Sequence, residues 1–246
     1  MNQENRKEAA VSETLGYILL FAIVTLSMGV IYAIGYPALQ SNIDANIFES
    51  AEQSFIVLQS NMNRVAFDQT PVKELKINLM SSSVSVSNES SITIDDGINP
   101  PLLIPTGEIV FEKDGKTIAY EMGGVFKTYQ RDATVMVSEP PIYITEIDGT
   151  NVTTIGLISV NGYSYVSGKG ITTLTLKHNS SSLEKSTGTV PYVEVEINSI
   201  NAPKWEQYLE EAGFTIISPS NGSSVTAQKN NTMLILSRHI VDVDID

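Results

Sequence analysis

Three hydrophobic patterns follow one another along this chain. From Leu15 to Tyr36 runs Leu-Gly-Tyr-Ile-Leu-Leu-Phe-Ala-Ile-Val-Thr-Leu-Ser-Met-Gly-Val-Ile-Tyr-Ala-Ile-Gly-Tyr, without a charge. At about 1.5 Å rise per residue this is roughly 33 Å of helix, enough to cross a hydrocarbon layer of about 30 Å. Pro37 follows and is expected to kink the helix rather than end it. Next, Ile43, Ile47, Ala51, Phe55, Leu58, Met62 and Val65 recur at spacings of three and four, one apolar stripe of an amphipathic helix. From Pro71 onward the period drops to two.

The period-two stretches include Val72–Leu79, Val84–Ser87, Ile92–Asp95, Glu108–Glu112, Thr117–Glu121, Ala133–Val137, Thr153–Val160, Ile171–Leu176, Val190–Ile197 and Met233–Leu236. Asp114-Gly115 reads as a hairpin tip. Val241-Asp-Val-Asp-Ile reads as an extension of the last strand. One helix interrupts them, opened by Pro203 and closed by Gly213, with Trp205, Tyr208, Leu209 and Ala212 on its packed face. The predicted fold class is therefore α+β: a long N-terminal membrane and spine helix, then a mainly antiparallel β domain carrying one helix in its C-terminal half. The expected divisions are a charged leader over 1–10, the helix over 11–67 and an extracytoplasmic β-rich domain over 71–246. Polar stretches at Ser180–Thr189 and Ser218–Thr232 read as loops.

Charge adds orientation. Arg6 and Lys7 precede the apolar segment, whereas Asp44, Glu49 and Glu52 follow it. This bias places the N-terminus in the cytoplasm and the bulk of the chain outside. Twenty-eight acidic residues against 15 basic give a formal net charge of -13. Such a surface repels nucleic acid and offers no polybasic patch to anionic lipid. The chain contains no cysteine, which removes disulfides, thiolate metal sites and thiol nucleophiles. Five glycosylation sequons, at Asn88, Asn151, Asn179, Asn221 and Asn230, all follow the apolar segment.

The segment is longer than the roughly 7–15-residue apolar region of a secretory signal, and no small-x-small site follows it. The start, Ala10-Val11-Ser12-Glu13-Thr14-Leu15-Gly16-Tyr17-Ile18, resembles archaeal type IV pilin-like proteins, which carry a class III signal peptide. That resemblance implies cleavage before the helix by a prepilin peptidase, so that the helix stays on the mature protein. Glu8, Ala9, Ala10 and Val11 would form the processing site, cut after Ala9 or after Ala10. It also implies an acidic register residue at Glu13, and close helix approach at Gly16, Gly29 and Gly35. Farther on, Gly123-Gly-Val-Phe, Ser138-Glu-Pro-Pro-Ile-Tyr, Thr172-Thr-Leu-Thr-Leu, Tyr192-Val-Glu-Val and Trp205-Glu-Gln-Tyr-Leu-Glu-Glu look like an uncharacterised archaeal family with a β-rich ectodomain. The resemblance implies a minor or pseudopilin-type subunit whose partners are the membrane and other pilin-like subunits. The alternative is an anchored receptor or adhesin binding an extracellular ligand or envelope polymer.

Catalytic chemistry finds little footing. His178 and His239 are the only histidines, without metal-ligand spacing, and read as solvated positions near strand ends. No nucleophile elbow or P-loop is present. Asp95-Asp96-Gly97 lacks the spaced ligands of a calcium loop. Asp242, Asp244 and Asp246 read as a solvated edge that resists strand addition. No enzymatic activity, cofactor or metal is expected.

Overall fold

A computed structural model describes residues 4–129 and 133–246, with side chains from Thr14 onward. Helix α1 (Glu4–Val30) passes through a π-helical turn, Ile31–Gly35, into α2 (Tyr36–Ala66). The π turn ends just ahead of Pro37. Proline has no N–H to give the Ala33 carbonyl, and its ring crowds that carbonyl, so a widened turn relieves both problems. The apolar segment satisfies its own polar groups: Thr25 Oγ1 donates to the Phe21 carbonyl (2.8 Å) and Ser27 Oγ to that of Ile23 (2.7 Å).

The described chain divides into two compact units, Met1–Glu49 and Ser50–Asp246. In the first, the large apolar side chains from Leu15 to Leu39 are exposed; Phe21 is 71% exposed. The second begins with the last four turns of α2. There Ala51, Phe55, Leu58, Met62, Val65 and Ala66 are buried, as the three-four spacing predicts, while Val57 on the opposite side is 48% exposed.

Fourteen strands are described: β1 (Val72–Asn78), β2 (Ser82–Ser87), β3 (Ser91–Asp95), β4 (Leu102–Pro105), β5 (Glu108–Lys113), β6 (Lys116–Glu121), β7 (Gly124–Tyr129), β8 (Ala133–Ser138), β9 (Ile142–Ile147), β10 (Thr150–Asn161), β11 (Ser164–Gly168), β12 (Ile171–Asn198), β13 (Thr215–Ser218) and β14 (Ser224–Ile245). Helix α3 (Ala202–Glu211) lies between β12 and β13. One sheet is ordered β11-β2-β5-β6-β7-β8, and every pair in it is antiparallel. The other runs β4-β3-β12-β14-β10-β9, with β1 also on β12 and β13 on β14. Its β10–β14 pair is parallel, and its other pairs are antiparallel. The α+β reading holds: a long apolar helix, then a mainly antiparallel β domain with one short helix.

Asp114-Gly115 turns β5 into β6 with φ of 52° and 72°. Two positive φ values give the type I′ geometry whose twist matches the strands it joins. Helix α3 ends as Gly213 suggested: at φ 94° it donates to the Glu210 carbonyl, and Phe214 N to that of Leu209. Trp205, Tyr208 and Leu209 enter a core that also holds Phe126, Ile142, Ile155, Val195 and Leu236.

Two expectations are corrected, and a third in part. Ser180–Thr189 belongs to β12, and much of Ser218–Thr232 to β14. The first is an exposed and the second a half-exposed stretch of strand, and composition alone cannot separate either from a loop. Asp242, at the start of the acidic run, lies inside the sheet, paired with Asn161 of β10 and Lys177 of β12, whereas Val243–Ile245 pair with β12 alone, and the exposed Asp244 meets Lys177 at 3.7 Å.

Polar links fasten α2 to the strands. Gln59, buried, donates to the carbonyls of Gly123 (2.6 Å) and Glu139 (3.0 Å). Glu52 pairs with Lys127 of β7. Replacing Phe55, fully buried, by alanine is expected to cost about 3–5 kcal/mol. Val57→Ala is expected to stay within about 0.5 kcal/mol. Denaturant unfolding of the full chain in detergent, followed by the fluorescence of Trp205, compares the two.

Candidate functional site

Strand register brings together residues that lie far apart in sequence. Across β10, β14 and β12, Leu157, Arg238 and Ser182 form one row, and Ser159, Ile240 and Ser180 the next. Asn161 and Asp242 continue the same face. A bulge between His178 and Ser180 inserts Asn179 as an extra residue. Ser159, Asn161, Asn179, Ser180, Ser182, Arg238 and Ile240 line a recess of about 550 Å³, completed by Asn88, Ile104 and Pro105.

The wall opposite is fixed by short bonds. The Ser90 and Thr106 hydroxyls lie 2.9 Å apart, Ser90 Oγ also donates to the Gly107 carbonyl (2.8 Å), and Val160 N donates to the Thr106 carbonyl (2.7 Å). Gly107 has φ 61°, and a Cβ there would lie 2.4 Å from the Val160 oxygen, so only glycine lets the wall approach β10 this closely.

The other face of the same strands carries both histidines. Because the bulge shifts register, His178 and Ser181 share a face although three residues apart, and Ser181 lies opposite His239. His178 Nε2 is 2.9 Å from Ser181 Oγ, which is 2.8 Å from His239 Nδ1. One hydroxyl joins the two rings. His239 is buried, and its ring meets Phe67 edge-on at 4.7 Å between centroids. Burial, then the neighbouring His178, hold its pKa below the ordinary imidazole value, against the pull of the Ala66 carbonyl at the end of α2. His239 is thus not the solvated residue that the sequence suggests, and the partly exposed His178 lies within β12 rather than at its end. The bulge that gathers them has no signature in composition.

A second buried polar cluster forms around Glu121, which is fully buried at the end of β6. It accepts from Ser199 Oγ (2.7 Å), Asn201 Nδ2 (3.1 Å) and Trp205 Nε1 (3.1 Å). All three donors are neutral, so desolvation dominates and raises its pKa to about 7. Glu108, its cross-strand partner on β5, adds to the rise. Desolvation, reinforced by Glu89, raises Glu108 as well.

The sequence-derived positions fall in several places. The side chains of Glu8, Ala9, Ala10, Val11 and Glu13 lie outside the described residues. Around Gly16 and Gly29 an added Cβ would meet nothing within 4 Å, and at Gly35 only Ile31, at 3.8 Å. Among the sequons, the Ser90, Thr153 and Thr232 hydroxyls that belong to Asn88, Asn151 and Asn230 are buried, and Thr153 and Thr232 bond each other at 2.9 Å. Asn179 donates its amide to Asp242. Asn221 lies in an exposed turn, its Oδ1 accepting from Ser223 N (2.9 Å) and Ser223 Oγ (3.0 Å).

Glu121 makes stability depend on pH. Its folded pKa of about 7 exceeds the ordinary 4.5, so between these values the folded chain keeps a proton that the unfolded chain has lost. The stabilisation is full below pH 4.5, falls as pH rises through about 7 and then levels, a change on the order of 3 kcal/mol. Denaturant midpoints measured across that range are expected to show this fall, and Glu121→Gln to flatten it.

No solved structure matches this chain. An uncharacterized protein of Archaeoglobus fulgidus is 22% identical over 223 residues, covering 82% of this chain and 81% of its own length. The profile of DUF7289, a family of unknown function, matches residues 9–244, and the chain belongs to that family.

Proposed function

We propose that this protein is a pilin-like, membrane-anchored surface subunit, of the minor or pseudopilin type, in an archaeal filament or secretion assembly. One observation carries the reading: a single continuous helical stretch is uncovered and apolar in its first part and buried along one stripe in its last turns. Among the described residues it is the one helix long and apolar enough to cross a membrane. An uncovered apolar surface of this size is stable in lipid or against other apolar helices, and unstable in water. Open space around Gly16 and Gly29 suits close approach of a neighbouring helix.

In this reading the N-terminus starts in the cytoplasm and the β domain lies outside the cell. A prepilin peptidase removes the leader at Glu8–Val11, and the freed helix passes from the bilayer into a bundle with other pilin-like subunits. Sugar, where attached, goes to Asn221: only its sequon and that of Asn179 expose both the asparagine and the hydroxyl residue, and the Asn179 amide nitrogen is engaged by Asp242.

Mass spectrometry of the membrane-extracted protein tests this directly. The expected N-terminus is Ala10 or Val11, with any glycan confined to the peptide containing Asn221. Replacing Ala9 or Gly16 with a bulky residue is expected to leave the leader attached. A wild-type start at Met1 or Asn2 removes the pilin reading and leaves a simple anchored surface protein.

A further inference from the structure

The recess on β10, β14 and β12 has the makings of a ligand site. Its polar groups are held in place by bonds within the protein and present further hydrogen-bonding capacity on the open side. Asp242 Oδ1 accepts the Asn161 amide at 2.6 Å and the Asn179 amide at 2.9 Å, and its Oδ2 lies 3.1 Å from the latter. One carboxylate therefore fixes both side chains through their NH2 groups. Neither amide oxygen has a partner among the described residues, so both remain as oriented acceptors.

Ser159 gives the second, independent observation. It is 6% exposed, it lines the recess, and its hydroxyl has no hydrogen-bond partner among the described residues. The Ser159 oxygen is not one of the fully enclosed unbonded atoms, so it reaches the open side of the recess. Its row partner Ile240 also lines the recess, so the hydroxyl shares the face that opens there. Along β14 this face changes from Leu234 and Leu236, both core residues, to Arg238, Ile240 and Asp242. The recess is thus the polar end of an apolar interlayer.

The lining chemistry selects the ligand. Amide oxygens of Asn161 and Asn179 accept, the Arg238 guanidinium donates, and the hydroxyls of Ser159, Ser180 and Ser182 do either. Ile104, Pro105 and Ile240 supply a small apolar patch. A ligand that fits must carry many hydroxyls of both roles and one less polar face. A flat heteroaromatic ring would find no aromatic side chain among those lining the recess. An anion would meet an Arg238 already 3.8 Å from Glu184, with the Asp242 carboxylate bonded behind the two amides, on a chain of net charge -13. The volume, about 550 Å³, falls within the roughly 300–1,000 Å³ of small-molecule sites.

We propose that this recess binds a neutral saccharide unit, a hexose or N-acetylhexosamine, between the Asp242-anchored amides and the Ser159 hydroxyl. This goes beyond the pilin-like reading and does not depend on leader removal. It gives the head a recognition surface for a polysaccharide of the envelope or of a contacted surface.

The test uses the full chain in a zwitterionic detergent, since glycosidic detergents would compete. Saturation-transfer NMR is recorded with glucose, galactose, mannose, N-acetylglucosamine and N-acetylgalactosamine at millimolar concentration, with glucuronate and inorganic phosphate as anionic controls. At least one neutral sugar is expected to bind. Ser182→Phe, at an exposed position in the recess, is expected to abolish that binding. Ser159→Ala is expected to weaken it by up to about tenfold, the worth of one good hydrogen bond. The fluorescence of Trp205 checks that each variant is folded. Absence of binding by every neutral sugar overturns the proposal, as does binding of glucuronate or phosphate alone. Sugar binding unchanged in both variants overturns the location.

Discussion

Burial of one stripe of α2, from Ala51 to Ala66, is the constraint on which the head domain depends. Phe55, Leu58, Met62 and Val65 are fully buried. Each such side chain is worth about 1.5–3 kcal/mol on removal from water. Non-directional burial alone would let a helix slide or rotate. The bonds from Gln59 to the backbone at Gly123 and Glu139, and the pair of Glu52 with Lys127, set its register against the ends of β7 and β8. These polar atoms add direction to an attraction that has none of its own.

A division of labour follows between the two faces of the β10-β14-β12 layer. One face meets the end of α2 through Phe67 and His239, where Gly156 leaves room for the Phe67 ring. The other holds apolar core toward Leu234 and the polar recess toward Asp242. The bulge at Asn179 serves both faces. It puts His178 beside Ser181 on the first, and it delivers an extra amide to Asp242 on the second. One inserted residue thus rearranges side chains on opposite sides of a strand, as a period of two requires.

Polar groups inside the head are concentrated where layers must be joined. Glu121 draws Ser199, Asn201 and Trp205 onto the end of β6, which ties α3 to the sheet that α3 does not extend. The arrangement costs desolvation of a carboxylate, and that cost is what makes the domain sensitive to pH. The helix of the first unit obeys the opposite rule: the Thr25 and Ser27 hydroxyls within its apolar segment bond to its own backbone. A helix that closes its own hydrogen bonds is free to exchange one apolar environment for another.

The sequence by itself determined the features set by periodicity along one chain. An uncharged run of helical length, a three-four stripe from Ile43 to Val65, a strand-rich remainder, the Asp114-Gly115 turn and the Pro203–Gly213 helix are all local patterns, and local sterics and burial are enough to set them. Only the tertiary structure decided what depends on register between distant strands. It turned the polar run at Ser180–Thr189 into part of β12, placed Asp242 in an interior strand, joined His178 to His239 through Ser181, and gathered Ser159, Asn161, Asn179 and Arg238 around one recess. The physical reason is that pairing partners 60 to 80 residues apart are selected by the fit of whole faces, with a single bulge shifting the match. No window of sequence contains both halves of that choice.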